Sequence, residues 1–453
     1  MRGRGGTIGF WLGLLAVTLL TTWGVLYGDY VALSLAVSAI LLGACLWLTL
    51  ARRSRPETPS GALLDLQGIV FAGFLSAGYL KADPRLEWLP VDLTLLLALG
   101  TGVVTVVHFA RQHFRIPKSL GPILGLFLVL SLPLFWTQWT TYSTEKATRL
   151  FTLTLLATIT PLFLFRSKQA VRRFLNALAI VGILMAGDAI ANYLTAGGAV
   201  ARLSAFGSDP IALGRASGAA VLWLAVLAFE KQLNFVLATV VLSPLLLATA
   251  TSARGPFLFT VGTIGLAFWA FYAKDLSRAT RFALTAALLG LALLGSVRYA
   301  PEFAVQRLRL LATGQLGPSE TMRLDAYRLS WQEIQRDPLG KGWGGFASEI
   351  NLWPSLERQY PHNILAETFL EAGWIPGVYL TALLALGITR ARRLASDPEA
   401  KTAFLLLAFF LGNAMVSGDV NSNRSLFAFL SLALAFPFPA AAPSKKNPHG
   451  TEG

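Results

Sequence analysis

The chain has 453 residues, of which 54% are hydrophobic and 14% charged, with a formal net charge of +14 and a mean hydropathy of +0.58. This composition excludes an ordinary soluble domain, and the single Cys45 excludes an intrachain disulfide framework. The positive balance comes with no nucleic-acid motif, so no nucleic-acid partner is expected.

The apolar residues fall in blocks of about 17–25, each sufficient for a helix to cross a hydrocarbon core of about 30 Å. They lack the period-2 alternation of a membrane barrel, so the backbone must satisfy its polar groups inside helices. The fold class expected is therefore an all-α polytopic membrane protein with about 12–14 transmembrane helices and one large outer loop. In chain order the spans are predicted at 8–27, 31–50, 63–80, 89–110, 119–136, 147–165, 174–196, 211–229, 232–250, 255–273, 281–297, 363–389, 402–417 and 425–439. Met1-Arg2-Gly3-Arg4 precedes the first block like a signal peptide, but no small-residue cleavage site follows, so that block is read as a retained helix. The organisation expected is an N-terminal helix bundle over 1–297 and an outer loop over 298–361. C-terminal helices over 362–440 and a disordered tail over 441–453 follow.

Basic residues set the orientation. With the N-terminus in the cytoplasm, the inner segments hold 22 of the 38 basic residues, including Arg52, Arg53, Arg55, Arg166, Lys168, Arg172, Arg173, Arg390, Arg392 and Arg393. Half of the remainder lie in the long loop, which the positive-inside rule does not govern. The loop 298–361 is thus expected outside, and both termini inside, in a multi-pass protein of the bacterial inner membrane.

Within the outer loop, Pro318-Ser319-Glu320 opens a predicted helix with Ser319 as candidate N-cap. Met322, Tyr327, Trp331 and Ile334 form its expected apolar stripe, and Asp337-Pro338 closes it. The run Leu339-Gly340-Lys341-Gly342-Trp343-Gly344-Gly345-Phe346 has too many glycines for anything but tight turns against close neighbours, and it is not a P-loop. Then Pro361-His362-Asn363 leads back into the membrane. Of the four histidines, His108 and His113 fall in an expected inner turn and His449 in the tail, which leaves His362 at the outer face. Neutral imidazole is the natural proton acceptor near pH 7, and a helix N-terminus disfavours its protonated form.

The sequence from Arg323 and Trp331 through the glycine run to His362-Asn363, Glu367, Glu371, Gly373 and Gly377 resembles the O-antigen ligase superfamily. That superfamily also contains O-antigen and exopolysaccharide polymerases. Thr251-Ser252-Ala253-Arg254-Gly255 resembles its Ser-Arg-Gly segment, and Gly214-Arg215 its other arginine position; the resemblance covers roughly residues 205–430. It implies a metal-independent glycosyltransferase acting in lipopolysaccharide or polysaccharide biosynthesis, with no cofactor and a periplasmic active site. The donor would be a glycan on undecaprenyl diphosphate, and the acceptor lipid A core or a growing glycan, most simply as an O-antigen ligase.

These residue types suit that chemistry. Arginine offers a permanent charge and a planar fork of donors to a diphosphate. His362, Arg254 and Arg215 are the candidate catalytic residues. Arg323, Asn363, Glu367, Glu371, Arg424 and Trp331 are the candidate substrate-binding residues, and no metal ligand set is expected. Structural ion pairing competes with function at Arg215, Arg424, Glu367 and Glu371. A polymerase of the same superfamily is one alternative. A non-catalytic polysaccharide transporter or lipid flippase is another, but it should carry charges deep in several helices and repeated halves.

Overall fold

A computed structural model describes residues 61–111, 116–196, 203–233, 235–273, 280 and 318–435. The spans predicted at 8–27, 31–50 and 281–297 and the tail lie outside these residues. Thirteen helices are described. α1 (Gly61–Leu80), α2 (Leu93–Arg111) and α3 (Leu120–Ser131) come first. Next are α4 (Thr141–Leu164), α5 (Lys168–Thr195), α6 (Pro210–Phe229), α7 (Phe235–Ser252) and α8 (Arg254–Tyr272). α9 (Pro318–Arg336) falls in the loop expected outside, the short α10 (Ile364–Glu367) follows it, and α11 (Trp374–Leu394), α12 (Pro398–Ala414) and α13 (Arg424–Ala435) close the bundle. No strand occurs among the described residues. The protein is an all-α, multi-pass membrane protein. Five of its helices, α4, α5, α6, α8 and α11, are long and apolar enough to cross a bilayer, and shorter apolar helices pack beside them.

α6 is the centre of the bundle, with 83% of its apolar window buried against 28% for α8. Small residues allow this. A Cβ on Gly182 of α5 would lie 2.3 Å from the Ala216 carbonyl oxygen of α6. Gly214 and Gly218, one turn apart on α6, are pressed against Pro256 and Thr260 of α8. Without a hydrophobic drive between helices in lipid, such close backbone approach is what holds them together. Exposed Leu99, Val103 and Val106 on α2, Leu128 on α3 and Val261 on α8 form the outward surface that lipid would cover.

The caps and charges sort the helix ends into two groups. Lys168 pairs with Asp397 at 2.7 Å, Arg172 with Glu399 at 3.5 Å and Lys401 with Glu230 at 2.6 Å, tying together segments predicted to lie inside. The N-caps Ser167 and Asp397 begin α5 and α12 at this end by accepting from Ala170 N and Ala400 N. The helix ends predicted to lie outside meet at the other end.

Four sequence expectations change. The span predicted at 363–389 is not one helix: α10 passes into a π-helical turn, Thr368–Ala372, which stops at Gly373 with φ +92° before α11 begins. Only glycine fits there, since a Cβ would meet the Leu339 carbonyl oxygen at 2.3 Å. His108 is not in a turn but buried within α2, where its Nδ1 lies 2.7 Å from Gln67 Nε2 of α1. The inward stripe of α9 is Ala326, Ser330 and Ile334 with Tyr327 beside them, whereas Met322 and Trp331 are exposed. That helix also starts at Pro318, one residue ahead of the expected N-cap Ser319.

Candidate active site

A cavity of about 790 Å³ opens at the end of the bundle where the segments expected to lie outside converge. Its wall takes residues from the C-terminal end of α1, the start of α2, the first turns of α4 and α6, α9, the 358–362 segment and the link from α12 to α13. Each of these lies on the side assigned as outer from the basic residues alone. The wall carries seven cationic side chains and four carboxylates, so it favours an anion.

The seven cations differ in their partners. Lys146 is fully buried between two glutamates: its Nζ is 2.6 Å from Glu371 Oε2 and 2.6 Å from Glu367 Oε1. The Glu367 contact is off the hydrogen-bonding direction, so neither Glu367 oxygen has a directed donor. Arg149 and Arg358 share Glu145, at 2.7 Å for Arg358. Arg215, Arg323 and Arg424, by contrast, have no carboxylate partner among the described residues. Arg215 donates from Nη2 to the Ser417 carbonyl at 2.9 Å, and its Nε is buried without a partner. Arg424 rests over the Phe74 ring at 5.5 Å with Nη1 likewise unpartnered. Unpaired guanidinium groups inside a membrane bundle are costly, and an anionic ligand would complete them.

His362 lies on the same wall, one residue before Asn363, the N-cap of α10. Asn363 Oδ1 accepts from Leu365 N and Ala366 N, both at 3.0 Å, so its role is to fix the turn that presents His362. His362 has φ +58°, in the left-handed region that histidine enters more readily than most side chains. Its ring packs edge-on against Tyr360 at 4.5 Å and lies tilted to Trp353 at 6.0 Å, and Nδ1 is buried without a partner. Burial lowers its pKa to about 4, the charge of Arg323 adds to that, and Asp419 opposes it. The imidazole is therefore neutral at pH 7, for reasons of burial and Arg323 more than the expected helix end. Burial also pushes the Tyr360 hydroxyl up to about 12, so it stays a neutral donor.

The remaining sequence candidates fall off the wall. Arg254 begins α8 and pairs with Glu320 of α9 at 3.2 Å, leaving its Nε buried without a partner. Glu367 and Glu371 hold Lys146 rather than an arginine. Trp331 is 58% exposed. The glycine run is a brace: Lys341 N and Gly342 N donate to the Leu370 and Glu371 carbonyls at 2.8 and 2.9 Å, and Gly344 N donates to Glu371 Oε2 at 2.9 Å. Trp343 is buried beneath it and donates to the Leu130 carbonyl at 3.1 Å. Among the described residues no group of three or more His, Cys, Asp or Glu side chains is placed to hold a metal ion.

Several wall residues were missed from sequence: Lys146, Arg149, Arg358, Tyr360 and Asp419. The signal was present for two of them. Thr141–Arg149 is a polar amphipathic turn capped by Thr140 and Ser143, yet it reads as loop when spans are drawn from apolar residues alone.

No curated protein matches the chain. Residues 237–382, from α7 into α11, match the family model described as O-Antigen ligase. The match includes Arg254, Arg323, Trp331, His362, Asn363, Glu367 and Glu371, while Arg215 and Arg424 reach the same cavity from outside it. The matched segment, about a third of the chain, carries the histidine block together with Arg323 and Arg358 of the anion-favouring cavity, and over that segment the chain is similar to the O-antigen ligase family.

Proposed function

We propose that the protein transfers a glycan from an undecaprenyl diphosphate carrier to an acceptor hydroxyl at the periplasmic face of the inner membrane, as an O-antigen ligase. The observation that carries this reading is a neutral histidine with an unpartnered Nδ1 on the same cavity wall as three arginines that lack carboxylate partners among the described residues. In the proposed step the acceptor oxygen attacks the anomeric carbon of the donor sugar. The bond from that carbon to the carrier diphosphate breaks, the hydroxyl proton goes to His362, and the diphosphate leaves with the bonding pair. Arg215 and Arg323 neutralise the charge that develops on the leaving group. Arg254 is assigned to the same diphosphate once the donor displaces Glu320 from it. Lys146, Glu367 and Glu371 hold the α4 wall against the α10 turn and set its position.

A ligase and a polymerase would break the same bond, and they differ in what accumulates without them. Products in a deletion strain separate them. A ligase leaves completed polymer on its carrier, and a polymerase leaves single repeat units. Transfer by purified protein reconstituted in lipid tests the chemistry itself. The expected result is carrier diphosphate released in step with glycosylated acceptor and a rate unchanged by EDTA. Movement of the lipid-linked glycan across the bilayer without cleavage of its diphosphate bond would instead make the protein a transporter.

A further inference from the structure

The cavity carries more unpaired positive charge than one diphosphate needs, and the charge is divided. Arg215, Arg323 and His362 sit on α6, α9 and the 358–362 segment. Arg424, at the start of α13, reaches toward α1, with its Nη2 atom 3.5 Å from where a Cβ on Gly78 would be, whereas Arg215 Nη2 is held at the Ser417 carbonyl. Phe74 of α1 lies under Arg424, and Tyr79 of α1 and Arg149 of α4, both on the cavity wall, act on it electrostatically. The charge of Arg149 acts on Arg424, and Asp419, on the same cavity wall, acts on both Arg424 and His362. The only carboxylate paired with Arg149 among the described residues is Glu145, which it shares with Arg358. Arg149 thus has only a shared acid, and Arg424 has a buried, unpartnered Nη1 and no carboxylate within ion-pair distance among the described residues. Inside a helix bundle such a pair is unfavourable until an oxyanion completes it, and arginine is the side chain whose donor fork fits phosphate or carboxylate.

We propose that Arg424 and Arg149 form a second anion subsite, distinct from the donor diphosphate site, that holds a phosphate or carboxylate group of the acceptor and so selects acidic acceptors. The inference rests on the glycan-transfer reading above and adds to it the class of acceptor. An anionic group anchored there would leave the acceptor's hydroxyl to reach toward His362, across the part of the cavity that Asp419 borders.

Binding to the full-length protein in lipid nanodiscs tests this with three probes. They are undecaprenyl diphosphate, a glycolipid bearing phosphate monoesters, and the same glycolipid after phosphatase treatment. The wild type should bind the phosphorylated glycolipid at least about tenfold more tightly than the dephosphorylated one. Arg424→Gln should remove that preference while binding undecaprenyl diphosphate as the wild type does, and Arg215→Gln should do the reverse. Arg149→Gln should weaken the same preference and serves as the reading if Arg424→Gln does not fold. Wild-type protein without the preference overturns the subsite but leaves glycan transfer standing. Loss of undecaprenyl diphosphate binding in Arg424→Gln or Arg149→Gln also overturns it and assigns these arginines to the donor. Failure of the wild type to bind undecaprenyl diphosphate at all would overturn the reading on which the subsite rests.

Discussion

His362 combines two properties that rarely meet in one residue, a left-handed backbone and a buried ring nitrogen with nothing to bond. The backbone decides which substitution is informative. Asparagine also tolerates the left-handed region, so His362→Asn removes the base with little strain, whereas His362→Ala adds a backbone cost of about 1–3 kcal/mol. Loss of a general base should lower turnover by about 10²–10⁴-fold in His362→Asn, with donor binding nearly unchanged; wild-type turnover would remove histidine from the mechanism. The pH profile is a second check. With a pKa near 4 in the free enzyme, neutral His362 is present above that pH, so kcat/KM should fall only as the pH drops toward 4. A bound diphosphate puts negative charge near the ring and favours imidazolium, so the acid limb of kcat should lie at higher pH than that of kcat/KM. Coincident limbs would mean that the donor's charge does not reach the ring. Arg254 gives a third test at this scale. If it passes from Glu320 to the donor, Arg254→Ala should lower kcat/KM at least about tenfold, while Glu320→Gln stays near wild type. Equal losses would make the pair a clip between α8 and α9 and nothing more.

At the scale of elements, the site depends on a break that hydropathy conceals. The apolar run that begins at Ile364 reads as one span, yet Gly373 divides it, and the glycine run at 340–345 fills the notch. The glycines themselves were legible as tight turns against a neighbour. The break was not, because nothing in residues 363–377 alone shows that Glu371 must turn back to meet Lys146, 225 positions earlier. Long-range ion pairing of this kind leaves no local pattern. It does give a sharp energetic prediction. Lys146→Met leaves two buried carboxylates without a counter-ion and should destabilise the protein by about 3–5 kcal/mol, seen as a lower Tm in detergent. Adding Glu367→Gln and Glu371→Gln removes both charges. The amide oxygen that Glu371→Gln introduces can still accept from Gly344 N, so most of the Tm should return. A triple variant no more stable than Lys146→Met would show that packing around the lysine stem, not charge, is what matters there.

At the scale of the whole molecule, the sequence was most legible where membrane physics leaves least choice. A bilayer admits few spanning structures, so the predicted spans from 63–80 to 255–273 each correspond to a described helix, with shifts of a few residues at polar ends such as Thr141 and Lys168. Grouping of Arg215, Arg323, Arg424 and His362 was legible as chemistry but not as geometry. The Gly214–Gly218 spacing that seats α6 against α8 was in the sequence and went unread. What the fold adds to the charge argument is segregation: residues 358–362 and 417–424 border the cavity, while the Lys168–Asp397 and Lys401–Glu230 pairs mark the opposite end. Both ends contain an exposed serine, Ser355 in the segment expected outside and Ser396 between α11 and α12. In a Cys45→Ser background, Ser355→Cys should react with a membrane-impermeant maleimide in intact spheroplasts. Ser396→Cys should react only after the membrane is opened. The positive-inside bias and the position of the cavity then agree on a periplasmic site, where a carrier-linked donor already flipped across the membrane could enter. Labelling of Ser396→Cys in intact cells with Ser355→Cys protected would invert the bundle, turn the cavity toward the cytoplasm and remove the basis for transfer at the outer face.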